Sequence, residues 1–309
     1  MRPTVCIFVN LSFWDAPLSV LFFLAFFILL NLVTFIASLI CVLGFDDEYM
    51  ATFATVGQSI GEIVGILSTM FIYKKTTKKA VAPLEINPIK PLSVVLAVIL
   101  GVACNTLLRS GITLLPVSEA VQQQMLDQQL EAMNLIITAP YFLVILLVGI
   151  LAPIAEEIAL RGGVLQNMRR DSNVWLGIIL SGAFFSLMHI TGGPRQMLYT
   201  FVHGLIWGLL CHVTKSILPA IIAHVFNNGW LFLLPVEAVL KVTDFCQSNY
   251  AWAVFLVSIA IITACVWLMS RLEKDREWKV LLPGKAQPDP QEQPLSDPDI
   301  SALDSSLTV

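Results

Sequence analysis

Residues Ile150–Gln166 read ILAPIAEEIALRGGVLQ, the composition of a membrane-spanning helix interrupted by Glu156 and Glu157 side by side, with Arg161 one turn later. An acid at the centre of a span costs roughly 2.5–3.5 kcal/mol even on permissive insertion scales. Such residues persist where a bundle interior or a wet cavity satisfies them, so they mark a functional site. Glu157 and Arg161 stand at i and i+4 and share a helix face, with the acid N-terminal to the base as such pairs prefer. Glu156 lies about 100° away on the helical wheel and need not share that partner. One carboxylate is then held ionised while the other is free to work as an acid or base. The rival reading of this cluster alone is an ion pair that stabilises the bundle, with the second Glu facing water. Upstream, Pro153 removes a backbone hydrogen bond near Gly149 and predicts a kink or local opening.

The rest of the chain agrees that the solvent is lipid. Of 309 residues, 57% are hydrophobic and 13% charged, with a mean hydropathy of +0.79. Soluble domains carry about 25% charged residues, so most of this chain cannot cover a water-facing surface. Eight apolar stretches approach the roughly 20 residues needed to cross a bilayer: Ala16–Phe45, Thr52–Tyr73, Leu92–Leu115, Ile137–Gln166, Val174–Ile190, Met197–Val213, Ile217–Leu234 and Ala251–Ser270. With the N-terminus inside, Lys74, Lys75, Lys78, Lys79, Lys90, Arg169, Arg170, Lys215, Arg271, Lys274 and Arg276 fall on the inner side, against only Arg195 and Lys241 outside. That asymmetry obeys the positive-inside rule and would be lost if one span were dropped. The expected fold is therefore all-α, a polytopic membrane helical bundle of about eight transmembrane helices over residues 1–282, with both termini cytoplasmic.

The six cysteines are far apart with no CxxC, which suggests neither a zinc knuckle nor a disulfide framework. The first apolar run lacks a basic leader and a small-residue cleavage site, so it reads as a retained span. Ser118–Asn134 is polar and helix-forming with an approximate apolar stripe, an ordinary connecting helix or one lying along the outer face. From residue 283 onward the chain is rich in Pro, Asp and Ser, and 283–309 is expected to be a disordered cytoplasmic tail.

Two later spans add polar groups. GIILSGAFFSLMHITGG places Phe185 and His189 at i and i+4, and LPAIIAHVFNNGW does the same for His224 and Asn228. A lone membrane histidine often just hydrogen-bonds a neighbouring helix. Two imidazoles, an amide and two carboxylates on three helices offer more: a base, a proton shuttle and donors for an oxyanion, the minimum for hydrolysing an amide. His203 and His212 read as packing and boundary positions. Arg109 is left to snorkel or to pair with an acid such as Glu62.

The motifs EExxxR (Glu156, Glu157, Arg161), FxxxH (Phe185, His189) and HxxxN (His224, Asn228), in this order on successive apolar helices, resemble the CPBP family of CAAX proteases and bacteriocin-processing enzymes, also called Abi. The resemblance covers about residues 137–234 and leaves out the first three spans, the last span and the tail. It implies an intramembrane endopeptidase in which Glu156 and His189 activate water, His224 and Asn228 stabilise the oxyanion, and Glu157 and Arg161 organise the site. It implies no obligatory cofactor. The alternative is zinc held by His189, His224 and Glu156, although the helix-borne HExxH is absent. The expected substrate is a membrane protein or lipidated peptide, cut near the cytoplasmic face. The partners are lipid bilayer and substrate, with no nucleic acid, and the oligomeric state is left open. A bacterial inner membrane is favoured by family prevalence. The competing functions are a non-catalytic immunity or scaffold protein and, further off, a proton-coupled transporter.

Overall fold

The computed structural model describes residues 84–114, 141–171 and 174–277, together with isolated positions between 28 and 64 and at 118 and 123. The first two expected spans, most of 118–134 and the 283–309 tail therefore lie outside the described stretches. The chain divides into units 1–279 and 280–309, and all that follows concerns the first.

Every described element is helical. Helix α1 runs Pro91–Leu114. Helix α2 is a continuous helical run over residues 141–171, built from α and π segments in alternation. Helix α3 spans Val174–Met188, α4 Gly193–Thr214, α5 Leu218–Gly229, α6 Val236–Cys246 and α7 Ala251–Leu272. Short 3-10 turns at Ile190–Gly192 and Trp230–Leu233 follow α3 and α5. Four helical runs are long and apolar enough to cross a membrane: Pro91–Gly111, Tyr141–Leu165, Gly193–Thr214 and Ala251–Leu272. Two shorter apolar helices, Val174–Met188 and Leu218–Leu233, complete the set. These six coincide with the last six stretches expected from sequence.

The opening expected at Pro153 takes the form of a π-helix over Ile145–Leu151, immediately ahead of the α segment Ala152–Glu157. The Ala152 N–H reaches back five residues to the Leu147 carbonyl, the widened π pairing. A second π segment, Ile158–Leu165, follows at once. The two carboxylates thus ride on a short α segment between two wide turns, a form that is rare and concentrates at functional sites.

Lipid supplies no hydrophobic drive between helices, so small residues that permit close approach set the packing. Gly204 of α4 lies against Gly182 of α3 so closely that an added Cβ would stand 2.6 Å from the Gly182 Cα. Gly101 of α1 meets the backbone of α5, where a Cβ would stand 2.2 Å from the Ala223 carbonyl oxygen. Around these contacts Leu100, Leu160, Leu165, Trp207, Leu210 and Met269 are buried in one apolar core.

Polar ties fix the two ends of the bundle. At one end Glu273, after α7, accepts the Lys90 N–H at 2.9 Å and the Ser93 hydroxyl at 2.7 Å, capping the start of α1. At the same end, the segment before α1 straps the α4–α5 turn. Ile217 N–H donates to Glu85 O at 3.1 Å, Asn87 Nδ2 donates to Lys215 O at 2.7 Å, and Ser216 Oγ donates to Asn87 O at 2.7 Å. Arg169, ending α2, pairs with Glu85 at 3.4 Å. The opposite end gathers the end of α1, the start of α2, the end of α3, the start of α4, the end of α5 and α6. There Tyr141 Oη donates to Phe232 O, and Arg109 donates to Thr243.

Candidate active site

Arg161 is fully buried and anchors the site. Its Nη1 donates to Glu157 Oε1 at 2.8 Å and its Nη2 to the Gly204 carbonyl at 2.9 Å, joining α2 to α4. The glycine contact that brings α4 against α3 also leaves this carbonyl within reach. The same Glu157 oxygen takes His224 Nδ1 at 2.9 Å. A carboxylate paired to a guanidinium can only accept, so His224 Nδ1 carries a proton. On the other edge of the ring, His224 Nε2 lies 3.6 Å from Glu156 Oε2. Glu157 takes Arg161, as their i and i+4 spacing leads one to expect, and both acids turn to one imidazole. The separation of the two acids is nevertheless kept, because each meets a different edge of the ring.

His189 follows α3, and its Nδ1 lies 2.8 Å from the Phe185 carbonyl. A carbonyl accepts only, so Nδ1 carries the proton and Nε2 is left with a bare lone pair. Phe185 is the common wall. Its ring stands edge-on to His189 at 4.8 Å and to His224 at 5.3 Å, while the Arg161 guanidinium lies 5.2 Å from its centroid. Behind His224, Trp207 stacks at 5.8 Å and in turn lies 5.7 Å from the His203 ring. On the next turn of α5, Asn228 Oδ1 accepts from Asn227 Nδ2 at 2.9 Å, so the Asn228 amide N–H₂ is the end left to donate.

A cavity of about 460 Å³ adjoins these groups and is lined by His189, His224, Asn228 and Phe185 among others. Glu157 and Arg161 are buried behind His224, and Glu156 retains 9% of its side-chain exposure beside it. Six residues expected at the site thus meet: three on the cavity wall and three immediately behind it. Two further residues, not assigned to the site from sequence, line the same cavity. His203, taken as a packing position, lines the cavity, and so does Arg109. Arg109 hydrogen-bonds Asn105 and Thr243, while Glu62 lies outside the described residues. The cavity sits at the bundle end away from Lys90, Arg169, Lys215 and Arg276.

Among the described residues no group of three or more His, Cys, Asp or Glu side chains is arranged to hold a metal ion. His224 already has Nδ1 committed to Glu157, and His189 has Nδ1 committed to a carbonyl. Each ring keeps Nε2 free with its Nδ1 held from behind, as metal-binding imidazoles do, but with Glu156 the groups are not gathered around one point.

Fold and site together define an all-helical integral membrane protein with a buried Glu–His centre beside an apolar cavity. Residues 138–230, less than half of the chain, match the family described as Rce1-like, the type II CAAX prenyl endopeptidase Rce1-like family. The chain thus carries an Rce1-like domain, and the match supports the CPBP/CAAX protease family that the motifs resemble. No curated protein and no solved structure matches the chain.

Proposed function

We propose that the protein is an intramembrane endopeptidase that hydrolyses a peptide bond in a membrane-associated or lipidated protein, using water activated by Glu156 and His189. The observation that carries this is the relay Arg161–Glu157–His224, ending 3.6 Å from Glu156 at the wall of the cavity. That gap is too long for a direct hydrogen bond and leaves both atoms able to hold one water.

In this mechanism His224 acts with both ring nitrogens carrying protons: Nδ1–H donates to Glu157 and Nε2–H faces the reacting centre. Glu156 takes the proton of the water, with the bare Nε2 of His189 positioned to share it. The oxygen attacks the scissile carbonyl, and the developing oxyanion is met by His224 Nε2–H and the Asn228 amide. As the C–N bond breaks, the proton passes to the leaving amine. No step requires a metal.

The test is cleavage of a membrane peptide by purified protein in detergent. Glu156→Gln, His189→Ala and His224→Ala should each lower the rate at least about 100-fold, the usual size of a lost general acid–base group. Unchanged cleavage by Glu156→Gln would reject its role. Wild-type protein without activity on any membrane peptide would favour the scaffold function. Activity that survives strong chelation is expected, whereas loss restored by zinc would overturn the metal-free mechanism.

A further inference from the structure

The oxyanion donors proposed for the reaction both sit on α5, yet a helix that holds α5 in place lies outside the matched region. Helix α1 precedes residues 138–230. Gly101, Asn105 and Arg109 stand at i, i+4 and i+8 along it and share one face. Gly101 packs against the Ala223 carbonyl, where an added Cβ would stand 2.2 Å from the oxygen. One turn on, Asn105 Nδ2 donates to the Asn227 carbonyl at 2.8 Å. Ala223 and Asn227 are the residues immediately before His224 and Asn228. The two contacts therefore fix both the height and the rotation of α5 where it carries those side chains.

The Asn105 amide has one sense. Its Oδ1 accepts from Arg109 Nε at 2.8 Å, and a guanidinium only donates. Its Nδ2 is thereby turned to the Asn227 carbonyl, which only accepts. That carbonyl lies in the last turn of α5, where a helix leaves its carbonyls without intrahelical partners. Arg109 is itself steadied from α6, its Nη1 donating to Thr243 Oγ1 at 2.8 Å. Asn105 is buried, with both ends of its amide engaged by the protein. Beyond the contact, Asn227 Nδ2 donates to Asn228 Oδ1 at 2.9 Å and leaves the Asn228 N–H₂ for the cavity.

We propose that Asn105, oriented by Arg109, is a positioning residue that holds the end of α5 so that the Asn228 amide meets the oxyanion. It touches no reacting atom and acts through Asn227 and Asn228. The proposal rests on the endopeptidase reading, which gives Asn228 its oxyanion. A bond with only a packing role would stabilise α5 wherever the Asn228 amide pointed. Turnover and stability therefore separate the two roles.

Full-length protein in detergent is assayed on a membrane peptide, with turnover counted per folded molecule. Asn105→Leu keeps the size of the side chain and removes both hydrogen bonds, whereas Asn105→Asp keeps the bond from Arg109 and loses the one to Asn227. Each should lower kcat about 10- to 100-fold and move KM by less than about threefold, the pattern of a misplaced transition-state contact. Asn228→Ala alone should cost about 100-fold. Adding Asn105→Leu to Asn228→Ala should then cost no more than about a further threefold, because the two residues act as one unit. Losses that multiply overturn the proposal. So does a lowered melting temperature with kcat unchanged, which would leave Asn105 a packing residue. Asn105→Asp carries the same comparison should Asn105→Leu fail to fold. Backbone hydrogen exchange supplies an arm without substrate: either variant should speed exchange in the last turn of α5, and unchanged exchange there overturns the proposal. Wild-type protein that cuts no peptide sinks the endopeptidase reading, and the exchange arm alone then decides whether Asn105 holds the end of α5.

Discussion

At the residue scale, Arg161 and Phe185 hold the site together. Arg161 satisfies Glu157 and a carbonyl of another helix with two arms of one planar group. Arg161→Met leaves Glu157 buried without its guanidinium and should cost about 3–5 kcal/mol, as broken buried pairs do. Denaturant titration in detergent measures it, and an unmoved midpoint would show that the pair is dispensable. Phe185 touches Arg161 and both imidazoles. Phe185→Ala should lower kcat about 10- to 100-fold by loosening both rings, since misplacements near 1 Å cost about that much. Unchanged kcat would mean that the rings are held by their hydrogen bonds alone. The motif residues were legible from sequence because carboxylates, imidazoles and an amide are conspicuous in apolar helices. The Glu157–Arg161 pair was legible too, from its spacing, whereas the approach of both acids to His224 on another helix was not. His203 was lost for another reason: next to Gly204, a polar ring at a small-residue contact looks the same whether it faces a neighbour or a cavity.

At the element scale, α1 and α5 meet where backbone touches backbone. Gly101→Ala sets a methyl group against the Ala223 carbonyl and must push α1 away from the helix carrying His224 and Asn228. The expected cost is about 1–3 kcal/mol, as for overpacked cores, with a fall in any catalytic rate. Melting temperature and activity measured together check it, and an unaltered melting temperature would mean that α1 yields freely. The six later spans were legible because length and hydropathy are read directly against bilayer thickness. Helix α6, amphipathic and short, gave no such signal, so its tie from Thr243 to Arg109 could not be foreseen.

At the scale of the whole molecule, the Glu273 clasp joins the start of α1 to the end of α7. Burial pushes this carboxyl up, but the Lys90 N–H, the Ser93 hydroxyl and Arg276 together hold it below its ordinary value. A depressed carboxylate stabilises the fold above its unfolded-state value, and that contribution is lost as pH falls through the folded one. Thermal unfolding between about pH 6 and pH 3 should therefore show an acid-side loss that Glu273→Gln lacks. Coincident profiles would show the clasp to be inert. Orientation belongs to this scale too. With the basic end inward, Tyr250→Cys should react with an impermeant maleimide on intact cells, and Lys215→Cys only after permeabilisation. The reverse pattern would place the cavity mouth on the cytoplasmic side.

The wide turn at Ile145–Leu151 has a genealogical meaning. A π turn is what a helix becomes when one residue is inserted and its surroundings refuse to rotate. Excising a single residue from this stretch should let it relax to ordinary winding, with Glu156 on one side and Tyr141 on the other keeping their places. Tyr141 would then keep its bond to Phe232, and only the lining between them, Val148 included, would be redrawn with the acids untouched. A single-codon indel at this point is thus a ready route by which such a chain could acquire a differently shaped chamber around the same chemistry.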